Sequence, residues 1–171
     1  TGNGITTSWM GGLNGNFNLL DDKMELNGNY LYNGSNKYIE ESSLRNTYMD
    51  DGSTLIYDND GYNITNSNGH RLGVRLEHAF SENTSIIFEP RFNIGGGNFT
   101  EYSDFLTMNE MDGLRDTVNT GFNENTGVNS NWRANGWLLL RQKLGKPGRT
   151  LSLFVRYEFS NNTLDGFNQS L

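Results

Sequence analysis

Asp58-Asn59-Asp60-Gly61 is the segment that most resembles a calcium-binding loop. An EF-hand loop needs acidic or amide ligands at positions 1, 3 and 5, Gly at position 6 and Glu at position 12. With Gly61 at position 6, Ile56 falls at position 1 and Ser67 at position 12, so two ligand positions fail. The segment is therefore predicted to be a turn, and no metal site is predicted.

The two histidines, His70 and His78, are eight residues apart. On one strand that spacing separates them by about 26 Å at 3.3 Å per residue, too far to share a metal ion. Glu77 precedes His78, but neighbouring residues on a strand point to opposite faces. We expect solvated or interfacial imidazoles and no catalytic dyad.

Carboxylates and arginines alternate with apolar residues, so we expect them on one face of a sheet. No spacing singles out two carboxylates as the acid and base of a glycosidase. Opposite charges across strands stabilise a sheet by about 0.2–1 kcal/mol per pair. These residues most simply line the water-filled interior of a barrel: Glu25, Glu77, Glu89, Glu158, Arg71, Arg75, Arg91, Arg133, Arg141 and Arg156.

Aromatic residues in the polar segments are the remaining candidates for ligand contacts. Those predicted to contact a ligand are Tyr57, Tyr62, Tyr102 and Phe105. They could stack on sugars or contact a partner, and they could equally pack the loops together. Gly95-Gly96-Gly97 lacks the Lys-Ser/Thr of a phosphate loop. Neither a catalytic residue nor a cofactor is predicted.

Period-two alternation predicts the elements that carry these residues. Leu72, Val74 and Leu76 alternate with arginine, glycine and glutamate, and the segment 151–159 repeats the pattern. Successive strand side chains point to opposite faces, so this predicts sheet with one apolar and one charged face. Six strands are predicted in a single unit spanning residues 1–171: 5–19, 24–33, 70–78, 85–94, 132–142 and 151–159.

The predicted connections alternate between short and long, with long loops over residues 34–69 and 95–131. In a meander, all short turns then fall on one edge and both long loops on the other. That asymmetry is typical of an outer-membrane barrel. Aromatic residues also sort into two levels that could form interfacial girdles. They are Trp9, Tyr32, Phe92, Trp132, Tyr157 and Phe159 near the long loops, and Phe17, Phe80 and Phe88 near the short turns.

The composition excludes further classes of function and of binding site. The 171 residues carry a formal charge of −7 and no cysteine. An acidic chain without a cluster of Lys and Arg has no broad hold on phosphate backbones, so nucleic-acid binding is not expected. Absent cysteine excludes disulfides and thiolate metal sites. The chain begins Thr1-Gly2-Asn3-Gly4 and enters a strand pattern almost at once, which suggests a piece of a longer protein.

Several runs resemble the β-barrel region of TonB-dependent outer-membrane receptors, in the large nutrient-uptake group of Gram-negative gut anaerobes. The matching runs are residues 8–14 (SWMGGLN), 26–30 (LNGNY), 70–77 (HRLGVRLE) and 85–92 (SIIFEPRF). The resemblance implies a 22-strand barrel with a plug domain in its lumen. Six strands without a plug would be about a quarter of such a barrel, unable to transport anything alone.

The sequence thus favours an all-β, antiparallel up-and-down meander from an outer-membrane nutrient receptor, without enzyme activity. Expected partners of the intact protein are outer-membrane lipid, a nutrient ligand and a surface lipoprotein, and the isolated chain should self-associate through its apolar face. The lipid-facing residues would be Leu72, Val74, Leu76, Leu138, Leu140, Leu151, Leu153 and Val155. Two alternatives stay open: a soluble barrel or sandwich that binds a small ligand or carbohydrate, and a surface adhesin.

Overall fold

A computed structural model describes residues 2–171 of the chain, with side chains from residue 4 onward. Within that range the chain forms six strands and no helix. The strands are β1 (Gly2–Leu19), β2 (Met24–Tyr48), β3 (Thr54–Ala79), β4 (Thr84–Met111), β5 (Leu114–Lys143) and β6 (Thr150–Ser170). No helix able to cross a membrane occurs in the described part of the chain.

The six strands pair in sequence order as one antiparallel sheet, β1-β2-β3-β4-β5-β6. Each strand therefore contacts only its sequence neighbours, and β1 and β6 form open edges in the described structure. The predicted up-and-down meander of six strands is confirmed. Period-two alternation predicted it well because one side of each strand is apolar over about ten residues.

The two predicted long loops are wrong. Residues 34–48 continue β2, residues 54–69 begin β3, and the segment 95–131 is divided between β4 and β5. Both faces of these extensions carry polar residues, so no alternation marks them as strand. Backbone pairing nevertheless continues to the hairpin tips, from Asn33↔Gly69 to Tyr48↔Thr54.

The tips themselves are tight. Asp50-Asp51-Gly52 forms the predicted turn, with the Gly52 amide donating to the Met49 carbonyl over 3.1 Å. Asp112 and Gly113 connect β4 to β5 with φ values of 55° and 79°, as a type I′ turn requires. Sequence reasoning missed this Asp-Gly signal. The turn predicted at 58–61 is wrong, because those residues lie inside β3.

A hydrophobic core is almost absent from the described part of the chain. Of its aliphatic and aromatic side chains, only Ile56, Ile87 and Pro90 are buried. A single-layer sheet has no second layer against which to bury either face, whereas stable domains are built from at least two packed layers. Whatever covers the apolar face must come from outside this chain.

Candidate functional site

The apolar residues collect in a belt that crosses all six strands. We define the belt as the face that carries His70, Leu72, Val74, Leu76 and His78 of β3, together with the residues aligned with these five on the other strands. One row, for example, runs Leu13, Tyr30, Leu72, Phe92, Ala134 and Phe159. From the His70 row to the His78 row no side chain on this face is Asp, Glu, Lys or Arg.

The height of the belt follows from strand geometry. Eight residues separate its first and last rows, about 27 Å along a strand at 3.4 Å per residue. With strands tilted by about 35–45°, that length spans about 20 Å, close to the apolar band of an outer-membrane barrel.

Apart from the buried Pro90, the belt side chains are either exposed or half-buried. Leu13 is 78% exposed, Phe159 61% and Leu153 56%. The register brings all eight residues that the sequence predicted to face lipid onto this one face. Contiguous apolar surface of this kind is rare on soluble monomers and marks a membrane or protein contact.

Aromatic residues border part of the belt. Tyr32, His70 and Trp132 share its first row, and Trp9 lies one row beyond on β1. Phe17 and Phe88 share the fourth row, toward the short turns. Tyr157 lies in the middle row instead, at a ring distance of 6.4 Å from Phe88.

The opposite face of the same strands carries the charges. All ten carboxylates and arginines predicted to line the water-filled interior of a barrel lie there, because the register aligns their positions across the sheet. Arg75 lies 3.3 Å from Glu77 and 3.6 Å from Glu89, which also contacts Arg91. These exposed pairs contribute about 0–1 kcal/mol each. The sheet therefore separates an apolar surface from a charged one.

The four predicted ligand-contact aromatics divide between the two faces. Tyr62 and Tyr102 stack at 5.6 Å on the belt side, beyond its upper row. Tyr57 and Phe105 stack at 6.1 Å on the opposite face. All four lie on strands, so the prediction that they occupy loops is wrong, and the structure does not bring them together as one site.

Tyr62 and Tyr102 belong to a longer ladder of rings that sequence reasoning did not find. Tyr38, Tyr62, Tyr102 and Phe122 stack across β2, β3, β4 and β5 at 6.3, 5.6 and 6.3 Å. Their cross-strand alignment could be seen only once the register was known. Stacked aromatic pairs contribute about 0.5–1.5 kcal/mol beyond area burial, which supports hairpins that have no core.

Carboxylates surround this ladder, and one of them acts on it directly. The Tyr38 hydroxyl donates to Glu40 over 2.7 Å, and this bond raises the pKa of Tyr38 above its usual value. Asp60 and Asp104 pair across β3 and β4 on the same face. A concavity of about 580 Å³ runs along these residues and the rings.

The histidines are held separately. The Tyr30 hydroxyl and His70 Nδ1 are 2.7 Å apart, while His78 Nδ1 lies 3.1 Å from the Lys23 carbonyl oxygen. No group of three or more His, Cys, Asp or Glu residues within the described range could hold a metal ion.

No protein-family model and no curated protein matches the chain. Among solved structures, Clostridium perfringens delta-toxin is similar with 6% identity and a TM-score of 0.26, over 81% of this chain and 93% of the toxin. The E. coli ferric-catecholate import receptor Fiu has 8% identity and a TM-score of 0.16, over 99% of this chain and 47% of the receptor.

The β domain of the Bordetella autotransporter BrkA has 11% identity and a TM-score of 0.18, over 99% of this chain and 90% of that domain. At such TM-scores these likenesses carry no argument about function.

Proposed function

We propose that this chain is a section of the wall of a bacterial outer-membrane β-barrel, with the belt in lipid and the charged face toward the lumen. The observation that carries the proposal is the belt itself, a face free of charged residues over five rows in a sheet without a core. Barrel strands in membranes alternate between apolar residues outside and polar residues inside.

The strands extend much further beyond one side of the belt than beyond the other, and this asymmetry gives the proposed barrel wall an orientation in the membrane. The turns at 20–23, 80–83 and 144–149 follow close on the lower rows of the belt. On the other side, 16 residues separate His70 from Thr54 at the β2–β3 tip, about 54 Å along the strand. Outer-membrane barrels have short periplasmic turns and long external connections. The extended hairpins would therefore lie outside the cell.

The finer form of the proposal is a TonB-dependent receptor for nutrient uptake, in which this section has no catalytic role. Its support is the sequence resemblance described above together with the long external hairpins. In this account the intact protein contacts outer-membrane lipid, takes up a nutrient ligand and could bind a surface lipoprotein through the hairpins.

The open edges set a further requirement. Unpaired strand edges are not tolerated in hydrocarbon, so β1 and β6 must pair with further strands or with other copies. Without lipid or detergent, we expect copies of the chain to associate through the belt and through these edges.

Tryptophan quenching by lipids tests which face meets hydrocarbon. The chain has three tryptophans: Trp9 and Trp132 on the belt side and Trp137 on the opposite face, where its ring lies 5.9 Å from Phe154. Two single-tryptophan variants, W9F/W137F and W9F/W132F, would be folded into vesicles that contain brominated phosphatidylcholine.

We expect strong quenching of Trp132 and weak quenching of Trp137, because bromine on the acyl chains reaches only the lipid-facing side. Aqueous acrylamide should show the reverse order. Equal bromolipid quenching of both residues, or stronger quenching of Trp137, would contradict the proposed orientation.

A further inference from the structure

A broad groove lies on the charged face, opposite the upper half of the belt. It measures about 1040 Å³ and crosses β2 to β6. Its lining is polar, with Arg71, Arg91 and Arg133 among asparagine side chains of β2, β4, β5 and β6.

The groove gathers three arginines within an acidic chain, and one of them, Arg71, has no carboxylate partner in the described structure. Its lining includes three arginines and neither aspartate nor glutamate among the described residues. The whole chain, in contrast, carries a formal charge of −7. Asparagine amides supply further hydrogen-bond donors. Glu89 and Glu158, outside the lining, form exposed ion pairs with Arg91 and Arg133, the second over 3.5 Å. Such pairs contribute only about 0–1 kcal/mol, so an anion in the groove can replace either carboxylate.

The three arginines are close enough to act together. Asn93 pairs with Arg71 on β3 and with Arg133 on β5, and Arg91 lies two residues away on β4. With strands about 4.8 Å apart, the Cα atoms of Arg71 and Arg133 are about 10 Å apart and that of Arg91 is about 8 Å from each. Arginine side chains of normal length can converge over this triangle.

Arg71 differs from its neighbour Arg75 in the partners available to it. Arg75 has two carboxylates within 3.6 Å, Glu77 and Glu89. Arg71 donates from Nε to the Asn93 amide oxygen over 3.1 Å, and no carboxylate forms an ion pair with it in the described structure. Ordinary cross-strand charge pairing thus accounts for Arg75 and leaves the charge of Arg71 uncompensated.

We propose that this groove binds a small oxyanion with two or more negative charges, such as a di- or tricarboxylate. Arginine forks bind carboxylates through paired hydrogen bonds, and the asparagines would orient the rest of the molecule. The groove and the belt lie on opposite faces, so the inference does not depend on what covers the belt.

Citrate is a suitable probe because its three carboxylates can bind Arg71 and replace Glu89 and Glu158 at Arg91 and Arg133. The full chain would be titrated with citrate by calorimetry in a non-ionic detergent, at constant ionic strength set with sodium chloride. We expect saturable binding that R71Q and R133Q each weaken about tenfold or more, as expected for the loss of a charge-assisted hydrogen bond. Inorganic sulfate should bind more weakly, because it can engage fewer of the arginines at once.

R141Q is the matched control, since it removes the same charge from the same face, eight residues from Arg133 on β5 and outside the groove, and Arg141 shares no carboxylate with the groove arginines. It should change citrate affinity by no more than about twofold. Circular dichroism of each variant separates a failure to fold from a failure to bind. Absence of saturable binding by a chain that retains its strand signal, or an equal loss in R141Q and R71Q, would overturn the proposal.

Discussion

Leu138 and Leu139 are consecutive residues of β5 with side chains on opposite faces of the sheet. Leu138 lies in the belt, between Phe88 and Val155. Leu139 lies on the charged face and is paired with Ile87. Both are half-buried within the chain, so an arginine removes internal contacts at either position and the difference between the two costs reports the surrounding medium.

The expected costs follow from the rows of the belt. Leu138 is one row from the belt centre, about 7 Å along the strand and about 5 Å in depth at the usual tilt. Arginine at the bilayer midplane costs about 2–4 kcal/mol, falling toward the interfaces, so L138R should cost about 2–3 kcal/mol. L139R should cost about 1 kcal/mol, because apolar contact is lost. Attraction between the new arginine and its diagonal neighbour Glu89 should offset part of that cost.

Unfolding by guanidinium from phosphatidylcholine vesicles, followed by tryptophan fluorescence, measures the free energy of unfolding of both variants. The difference between them should be at least about 1 kcal/mol, with L138R the less stable. Equal destabilisation, or a larger loss in L139R, would refute the assignment of the belt to lipid.

Three further predictions concern the belt cover, ring packing and a tip turn. A134L enlarges a belt residue, and in lipid it should leave the free energy of unfolding unchanged or raise it by about 1 kcal/mol. If packed protein covers the belt instead, the same assay should show a loss of about 1–3 kcal/mol. G127V should cost about 1–3 kcal/mol, because a Cβ there would lie 2.5 Å from the Phe99 ring; F99A in the same chain should restore part of that loss. Hydrogen bonds from the Ser53 hydroxyl and amide lower the pKa of Asp51. These bonds therefore stabilise the turn at pH values above the ordinary pKa of aspartate, and the stabilisation is lost as the pH falls through the folded pKa. Carbon-13 titration of the Asp51 carboxyl should show its pKa rise in S53A, and an unchanged value would contradict the assigned hydrogen bond.

The sequence could predict the strands wherever an apolar face alternates with a polar one. The third predicted strand, 70–78, falls within β3, and the sixth, 151–159, falls within β6. Both cross the belt. Alternation does not predict strand in residues 34–69, where apolar residues such as Tyr38 and Ile64 share their face with polar residues such as Asn66. Strand persists there because each backbone group pairs with a neighbour, and such pairing requires no particular side chain.

The aromatic residues illustrate the same limit for the candidate site. Their place in polar segments identified Tyr57, Tyr62, Tyr102 and Phe105 as available rings. Their division between two faces depends on the parity of each strand and on register. A one-residue slip would exchange the faces of a whole strand. The Tyr62–Tyr102 stack therefore became visible only with the pairing of β3 and β4.

What the amino-acid sequence determined by itself is the two-sidedness of the sheet, since alternation fixes which residues share a face within each strand. The tertiary structure decided how those faces align across six strands, how far the hairpins extend, and that hardly any apolar side chain is buried in the described chain. The physical reason is that faces are set by local backbone geometry, whereas register and strand length come from hydrogen bonds between residues far apart in sequence.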